Sequence, residues 1–120
     1  MNWFISHPSG APYQTPIFFR ALKQFDTDHA DITVHWPPRD TVVLADRLEI
    51  LRSADLIIAE VSIASTGSGI ELGIAYTLKK SVIAFHQGTS VISPAVSVAV
   101  TALHTYLAEE DIAKVLQTLA

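Results

Sequence analysis

At 120 residues the chain is long enough for one well-buried core and too short for two, so residues 1–120 read as a single domain. Apolar residues make up 49% and charged residues 17%, which favours an oligomer that covers part of its apolar surface. A net charge of −4, with no basic cluster longer than Lys79-Lys80, argues against a nucleic-acid polymer as partner, because phosphate contacts need a basic face. There is no cysteine, which rules out disulfides, thiolate metal sites and a cysteine nucleophile. The start Met1-Asn2-Trp3-Phe4 lacks a signal peptide's basic end and long apolar stretch, and no apolar run reaches membrane-spanning length. A soluble, cytoplasmic protein with no membrane partner is the expectation.

The run Asn2 to Ser6 predicts a first strand, broken by the loop His7-Pro8-Ser9-Gly10. Pro16 suits the first position of a helix to Asp28, with Phe18, Phe19, Leu22 and Phe25 on one face. Asp31 to Trp36 alternates and is rich in β-formers, and Pro37-Pro38 ends it. Thr41 to Ser53 places Val43, Leu44, Leu48 and Leu51 at helical spacing, with Asp40 or Thr41 as its cap. Ala54 to Val61 is apolar almost throughout, as a strand buried on both faces is. Gly69 to Lys80 predicts a third helix whose two terminal lysines suit its negative end. Strand four is Ser81 to His86, followed by a Gly88-Thr89-Ser90 turn and a short helix at Ser93 to Val100. Thr101 to Leu107 and Ala108 to Leu119 supply a fifth strand and a closing amphipathic helix.

This alternation of strands and helices indicates a flavodoxin-like (Rossmann-like), doubly wound five-stranded parallel sheet with strand order 2-1-3-4-5. That order puts the carboxyl ends of strands one and three side by side. The loops at His7–Tyr13 and Ser62–Glu71 then face each other across the crevice where such sheets bind ligands.

The site candidates gather there. Strand three stops at Glu60, and Ser65-Thr66-Gly67-Ser68-Gly69 leads into a helix whose first turn is expected to carry Glu71. A carboxylate delivered by glycine and serine is a candidate nucleophile or base, with backbone N–H groups around it for an anionic substrate. Glu60 either orients this loop or acts as a catalytic acid. Gly67-Ser68-Gly69 matches neither the dinucleotide fingerprint nor the P-loop. Serines 62, 65, 68, 90 and 93 flank the loops and suit phosphate or simple turns. The five histidines show no paired metal spacing, and no metal or organic cofactor is expected; His7 and His86 each follow a strand and reach toward the crevice.

The segment Arg47 to Val96 resembles the nucleoside 2-deoxyribosyltransferase-like family, and within it the 2′-deoxynucleoside 5′-phosphate N-hydrolases. The resemblance is carried by Leu48-Glu49-Ile50-Leu51-Arg52-Ser53-Ala54-Asp55, Ala59-Glu60-Val61-Ser62, Ser65-x-Gly67-x-Gly69-x-Glu71-Leu72-Gly73-x-Ala75 and Val91-Ile92-Ser93. It implies that Glu71 is the nucleophile at the anomeric carbon. The transferases usually carry an aspartate six residues before that glutamate, whereas the hydrolases have a phosphate-binding serine, and this chain has Ser65. A serine placed like Ser93 binds phosphate from the neighbouring subunit, which implies a homodimer or a dimer of dimers with sites at the boundary. With Ser6, His7, Gly67 and Gly69 in the adjoining loops, the implied partner is a small nucleotide or nucleoside.

Three positions depart from the family pattern. Trp3 stands where a tyrosine adjoins the glutamate, and Ser6-His7-Pro8-Ser9-Gly10 lacks the usual basic residue. Arg47 aligns with a catalytic-site aspartate, leaving Asp46 one residue off, a rotation of about 100° on a helix. The expected chemistry is cleavage of the N-glycosidic bond of a 2′-deoxynucleoside 5′-monophosphate through a covalent glycosyl–Glu71 intermediate, with Asp46, Glu60 or His7 relaying a proton to the base. The alternatives are a base-exchanging deoxyribosyltransferase and a catalytically silent nucleotide-binding protein.

Overall fold

The computed structural model describes residues 1–8, 15–36 and 44–120. The tip of the first loop, the Pro37-Pro38 pair, the Asp40 or Thr41 cap and Val43 lie outside the described residues, as does the side chain of Leu44. In chain order the elements are β1 (Asn2–Ser6), α1 (Pro16–Asp28), β2 (Thr33–His35), α2 (Leu44–Ser53), β3 (Leu56–Glu60), α3 (Thr66–Thr77), β4 (Val82–Gln87), α4 (Pro94–Ala99), β5 (Ala102–Tyr106) and α5 (Glu109–Leu119). The strands form one parallel sheet in the order β2-β1-β3-β4-β5. This is the doubly wound, flavodoxin-like arrangement that the alternation of elements implies.

Side chains that alternate along the strands build two cores. Trp3, Ile5, Ile58 and Phe85 point to one face, where Phe18, Leu22 and Phe25 of α1 and Ile112 and Leu116 of α5 cover them. Phe4, Ile57, Ala59, Val82 and Ala84 point to the other, beneath Leu51 of α2 and Leu72 and Ala75 of α3. Period-two alternation sorts the two sets, and all five residues of β3 are buried, as the centre of a sheet covered on both faces requires.

Element ends differ from expectation at several places. β2 is three residues long, at the edge of the sheet, and its first N–H, that of Thr33, donates to the Met1 carbonyl. Glu109, not Ala108, opens α5; the Asp111 carboxylate accepts from the Leu107 and Ala108 N–H groups at 2.9 Å each, and these bonds hold its pKa below the ordinary value. α3 ends at Thr77 instead of reaching Lys80. The Lys79 N–H returns to the Tyr76 carbonyl and the Lys80 N–H to that of Ala75, which closes a Schellman turn with Lys79 at φ 57°. Among the described residues no helix is long and apolar enough to cross a membrane.

Candidate active site

The start of α3 sets the geometry. Ser65 is its N-cap: the Ser65 hydroxyl accepts from the Ser68 N–H at 3.4 Å and the Ser65 carbonyl from the Gly69 N–H at 2.9 Å. The small-residue stretch is therefore the first turn of the helix and not a loop before it. Glu71 accordingly falls in the second turn, a correction to its expected place in the first. The difference has a local cause, since a serine cap makes helix of residues whose composition alone suggests loop. The buried face of α3 is Ser68, Glu71, Leu72 and Ala75, at helical spacing. A Cβ added at Gly69 or Gly73 would meet nothing within 4 Å, and one at Gly67 only the Ser65 hydroxyl at 4.0 Å. Nothing within the described chain demands glycine there, although each helical glycine costs roughly 0.5–1 kcal/mol relative to alanine.

Glu71 is 4% exposed. Ser6 Oγ, at the carboxyl end of β1, donates to Glu71 Oε1 at 2.8 Å, and Arg47 Nε of α2 lies 3.6 Å from Oε2. Burial raises the Glu71 pKa above its ordinary value, while the Ser6 hydrogen bond and the Arg47 charge pull it back. Burial dominates, so the group is a held carboxylate of raised basicity. Asp46 is exposed, and it is its neighbour Arg47 that turns toward Glu71. Trp3, expected beside the glutamate, instead stacks on Phe25 at 4.9 Å in the opposite core, because odd-numbered β1 residues before Ser6 face α1. Ser6 is the β1 residue that meets Glu71.

Glu60 is fully buried at the end of β3, where it accepts from the Tyr106 hydroxyl of β5 and from the Ser62 N–H. Burial first, and then the adjoining Glu60, push the Tyr106 pKa upward, so the phenol remains a donor. The Ser62 hydroxyl in turn accepts from the Gln87 N–H at 2.7 Å, which ties the β3–α3 loop to β4. His7 is half-buried, with Nδ1 2.9 Å from the Pro8 carbonyl oxygen and its ring edge-on to Phe19. His86 sits between the hydroxyls of Ser90 and Thr105. Among the described residues no cluster of potential ligands suits a metal ion.

A cavity of about 360 Å³ opens between the start of α3 and the segment leading into α4. Glu60, Ser65, Thr66, Ser68, Gly69 and Ser93 are among its lining. The fold thus brings Ser65 and Ser93 to one cavity within a single chain, and Glu71 to Ser6 and Arg47 one helical turn away. It leaves Asp46 in solvent, and Glu71, Ser6, His7 and Gly67 are not among the residues lining the cavity. Sequence reasoning overlooked the pairing of Arg47 with Glu71, the clamp of Tyr106 on Glu60, and the position of Ser68. The last had a signal: Ser68 precedes Glu71, Leu72 and Ala75 by three, four and seven residues, the spacing of one helix face.

No family model matches the chain, and no curated protein matches its sequence. Among solved structures the chain is similar to the CMP N-glycosidase BcmB of Clostridium botulinum, at 15% identity and a TM-score of 0.70, covering 98% of this chain and 99% of that one. It is also similar to a 2-deoxyribosyltransferase from Bacillus psychrosaccharolyticus, at 17% identity and a TM-score of 0.68, covering 94% of this chain and 90% of that one. A flavodoxin-like domain from Synechococcus matches at 14% identity and a TM-score of 0.63, covering 98% and 97%. At these identities the likeness is one of fold.

Proposed function

We propose that the chain is an N-glycosidase of the nucleoside 2-deoxyribosyltransferase-like kind, hydrolysing 2′-deoxynucleoside 5′-monophosphates. The observation that carries this reading is the buried Glu71 carboxylate, held by Ser6 and Arg47 on the helix whose Ser68, Gly69 and Leu72 line a serine-bearing cavity that Glu71 itself does not line. Glu71 attacks the anomeric carbon as the C–N bond breaks, and the base leaves with the bonding electron pair. Water then attacks the glycosyl ester, giving the free sugar phosphate and restoring the carboxylate, and the proton that the water gives up balances the one that the departed base anion takes from solvent. A deoxyribosyl centre suits one carboxylate because no electron-withdrawing 2′-hydroxyl opposes the positive charge that develops. Arg47 favours the ionised form of Glu71 against the burial that opposes it, and Ser65 and Ser93, here of one chain rather than of neighbouring subunits, hold the 5′-phosphate against the start of α3. Glu60 fixes the loop between them; the exposed Asp46 takes no part. The similarity in fold to a CMP N-glycosidase and a deoxyribosyltransferase over nearly the whole chain supports this reading.

We also propose a homodimer, the smaller of the expected assemblies. No residue of α4 is buried, and Val91 and Val98 are 91% and 73% exposed, which leaves an apolar strip beside Ser93 for a second copy. A monomer by light scattering at micromolar concentration overturns it.

Incubation with each deoxynucleotide, followed by chromatography of the free base, tests the activity. Base release without an acceptor is the expected result, abolished in Glu71→Gln. Base exchange only when a second base is present identifies a transferase. Binding without turnover identifies a silent nucleotide-binding protein, the reading that the Arg47–Glu71 ion pair favours if it locks the carboxylate.

A further inference from the structure

The Arg47 side chain is 24% exposed, and its contact with Glu71, at 3.6 Å, is longer than a hydrogen bond. Among the described residues its guanidinium makes no hydrogen bond at all, and none of its nitrogens is shut off from solvent. Nε is turned to Glu71, which leaves the four N–H groups of the terminal nitrogens for another acceptor. The two carboxyl groups expected to relay a proton to a departing base are not placed to do so. Asp46 is exposed, and Glu60 is taken up by the Tyr106 hydroxyl and the Ser62 N–H. In the proposed reaction the negative charge of Glu71 vanishes into a neutral ester and reappears on the base. A fixed cation beside Glu71 therefore loses one anion and meets another in the same step.

We propose that Arg47 is a catalytic residue whose free guanidinium edge donates to the carbonyl oxygen beside the glycosidic nitrogen and stabilises the base as it leaves as an anion, so that the site takes deoxynucleotides of uracil-type bases. The inference rests on the glycosidase reading and deepens it by naming the leaving group. A bond forms between a Glu71 oxygen and the anomeric carbon while the bond from that carbon to N1 of the base breaks. The electron pair goes to N1 and spreads over the two carbonyl groups of the uracil ring; cytosine, with an amino group in place of one carbonyl, spreads it less well. The freed anion takes its proton from solvent, and the water that opens the ester gives one up. The reach is adequate. A bound anomeric carbon lies about 3–3.5 Å from the attacking oxygen, with the glycosidic nitrogen one bond further on. Arg47 starts from 3.6 Å off the same carboxylate, so its free edge is within one side-chain length of the neighbouring carbonyl.

The test measures kcat/KM at one mildly acidic pH for the deoxynucleoside 5′-monophosphates of uracil, 5-fluorouracil, thymine and cytosine, in wild type and in Arg47→Gln. Wild type is expected to prefer the uracil compound to the cytosine compound. Arg47→Gln is expected to lose about 10²-fold on the thymine compound and less on the 5-fluorouracil compound, whose base is the better leaving group. The ratio of those two rates then widens by about threefold or more. The ionised fraction of Glu71 is common to all substrates of one variant and divides out of that ratio, so a merely structural loss leaves it unchanged. Binding is read separately in Glu71→Gln, whose neutral amide takes the place of the ester, with and without Arg47→Gln; the double variant leaves no charge of this pair buried alone. The probes are uracil, which is neutral, and 5-nitrouracil, which is an anion at neutral pH. Glu71→Gln is expected to bind the anion about tenfold or more tightly than uracil, and the double variant to lose that preference. An unchanged rate ratio in Arg47→Gln, as an acid protonating the base would give, or an anion preference that survives in the double variant, overturns the proposal. An Arg47-dependent anion preference in a protein whose wild type releases no base refutes the glycosidase reading and leaves Arg47 standing as the donor to an anionic base.

Discussion

Arg47 Nε stands 3.6 Å from Glu71 Oε2, and so places a permanent cation beside a carboxylate that is almost wholly shut off from water. Ser6 holds the other oxygen, and burial still outweighs both partners and keeps the Glu71 pKa raised. Arg47→Gln removes one of the two stabilisers of the ionised form. The Glu71 pKa then climbs further, and the acid limb of the kcat/KM profile moves to higher pH. Activity lost at neutral pH should be partly recovered in alkaline buffer. An unshifted profile means that Arg47 does not govern the charge on Glu71.

Glu71 also makes stability depend on pH. Its folded pKa is raised above the unfolded value, so the stability it contributes is fully present below the unfolded pKa and is lost as pH rises through the folded one. Glu71→Gln removes the buried charge and keeps an acceptor for Ser6. It should melt higher than wild type at neutral pH, with the gap closing as the pH falls below the usual glutamate range. Scanning calorimetry across that range checks it, and a gap that widens toward acid contradicts it.

Ser65 both caps α3 and faces the cavity, so Ser65→Ala confounds stability with binding, at about 0.5–2 kcal/mol for the lost cap. Ser65→Asp separates them, because aspartate caps as well as serine while its charge repels a phosphate. The variant should keep the melting temperature within a few degrees and bind a deoxynucleotide at least tenfold more weakly, with nucleoside binding little changed. Equal losses for both ligands would sink the assignment of phosphate to this end.

Tyr106 of β5 donates to the fully buried Glu60 of β3 across the one strand, β4, between them. Tyr106→Phe leaves that carboxylate with the Ser62 N–H and should destabilise the fold by about 1–3 kcal/mol in urea melts. The Tyr106 pKa is raised, so wild-type stability holds below the unfolded phenol's pKa and falls as pH rises through the folded value. The variant should lack that alkaline decline.

Lys79 closes α3 at φ 57°, a conformation that costs a residue with a Cβ roughly 1–2 kcal/mol. Glycine removes that cost and returns part of it as unfolded-state entropy. Lys79→Gly should therefore raise stability by up to about 1 kcal/mol without touching the site. Unchanged or lower stability would mean that the lysine side chain itself holds the turn.

The strand order and the two cores were legible in the residues because they rest on short-range patterns. Alternation along β1 and β3 sorts side chains between faces, and helix periodicity supplies their covers. Glu71 stood out as a candidate for a different reason, the glycines and serines that lead up to it from the end of β3. The partners of Glu71 were not. Arg47 and Ser6 lie 24 and 65 positions away in sequence, and which of Asp46 or Arg47 faces the glutamate depends on the rotation of α2 against the sheet, a property of packing. The cap at Ser65 moved the start of α3, and with it the turn that carries Glu71, because one hydrogen bond decides whether Thr66-Gly67-Ser68 is loop or helix. The Tyr106–Glu60 pair likewise exists only once β3 and β5 are assembled. Composition and periodicity determine which face a residue takes; only the packed chain determines which group it meets there.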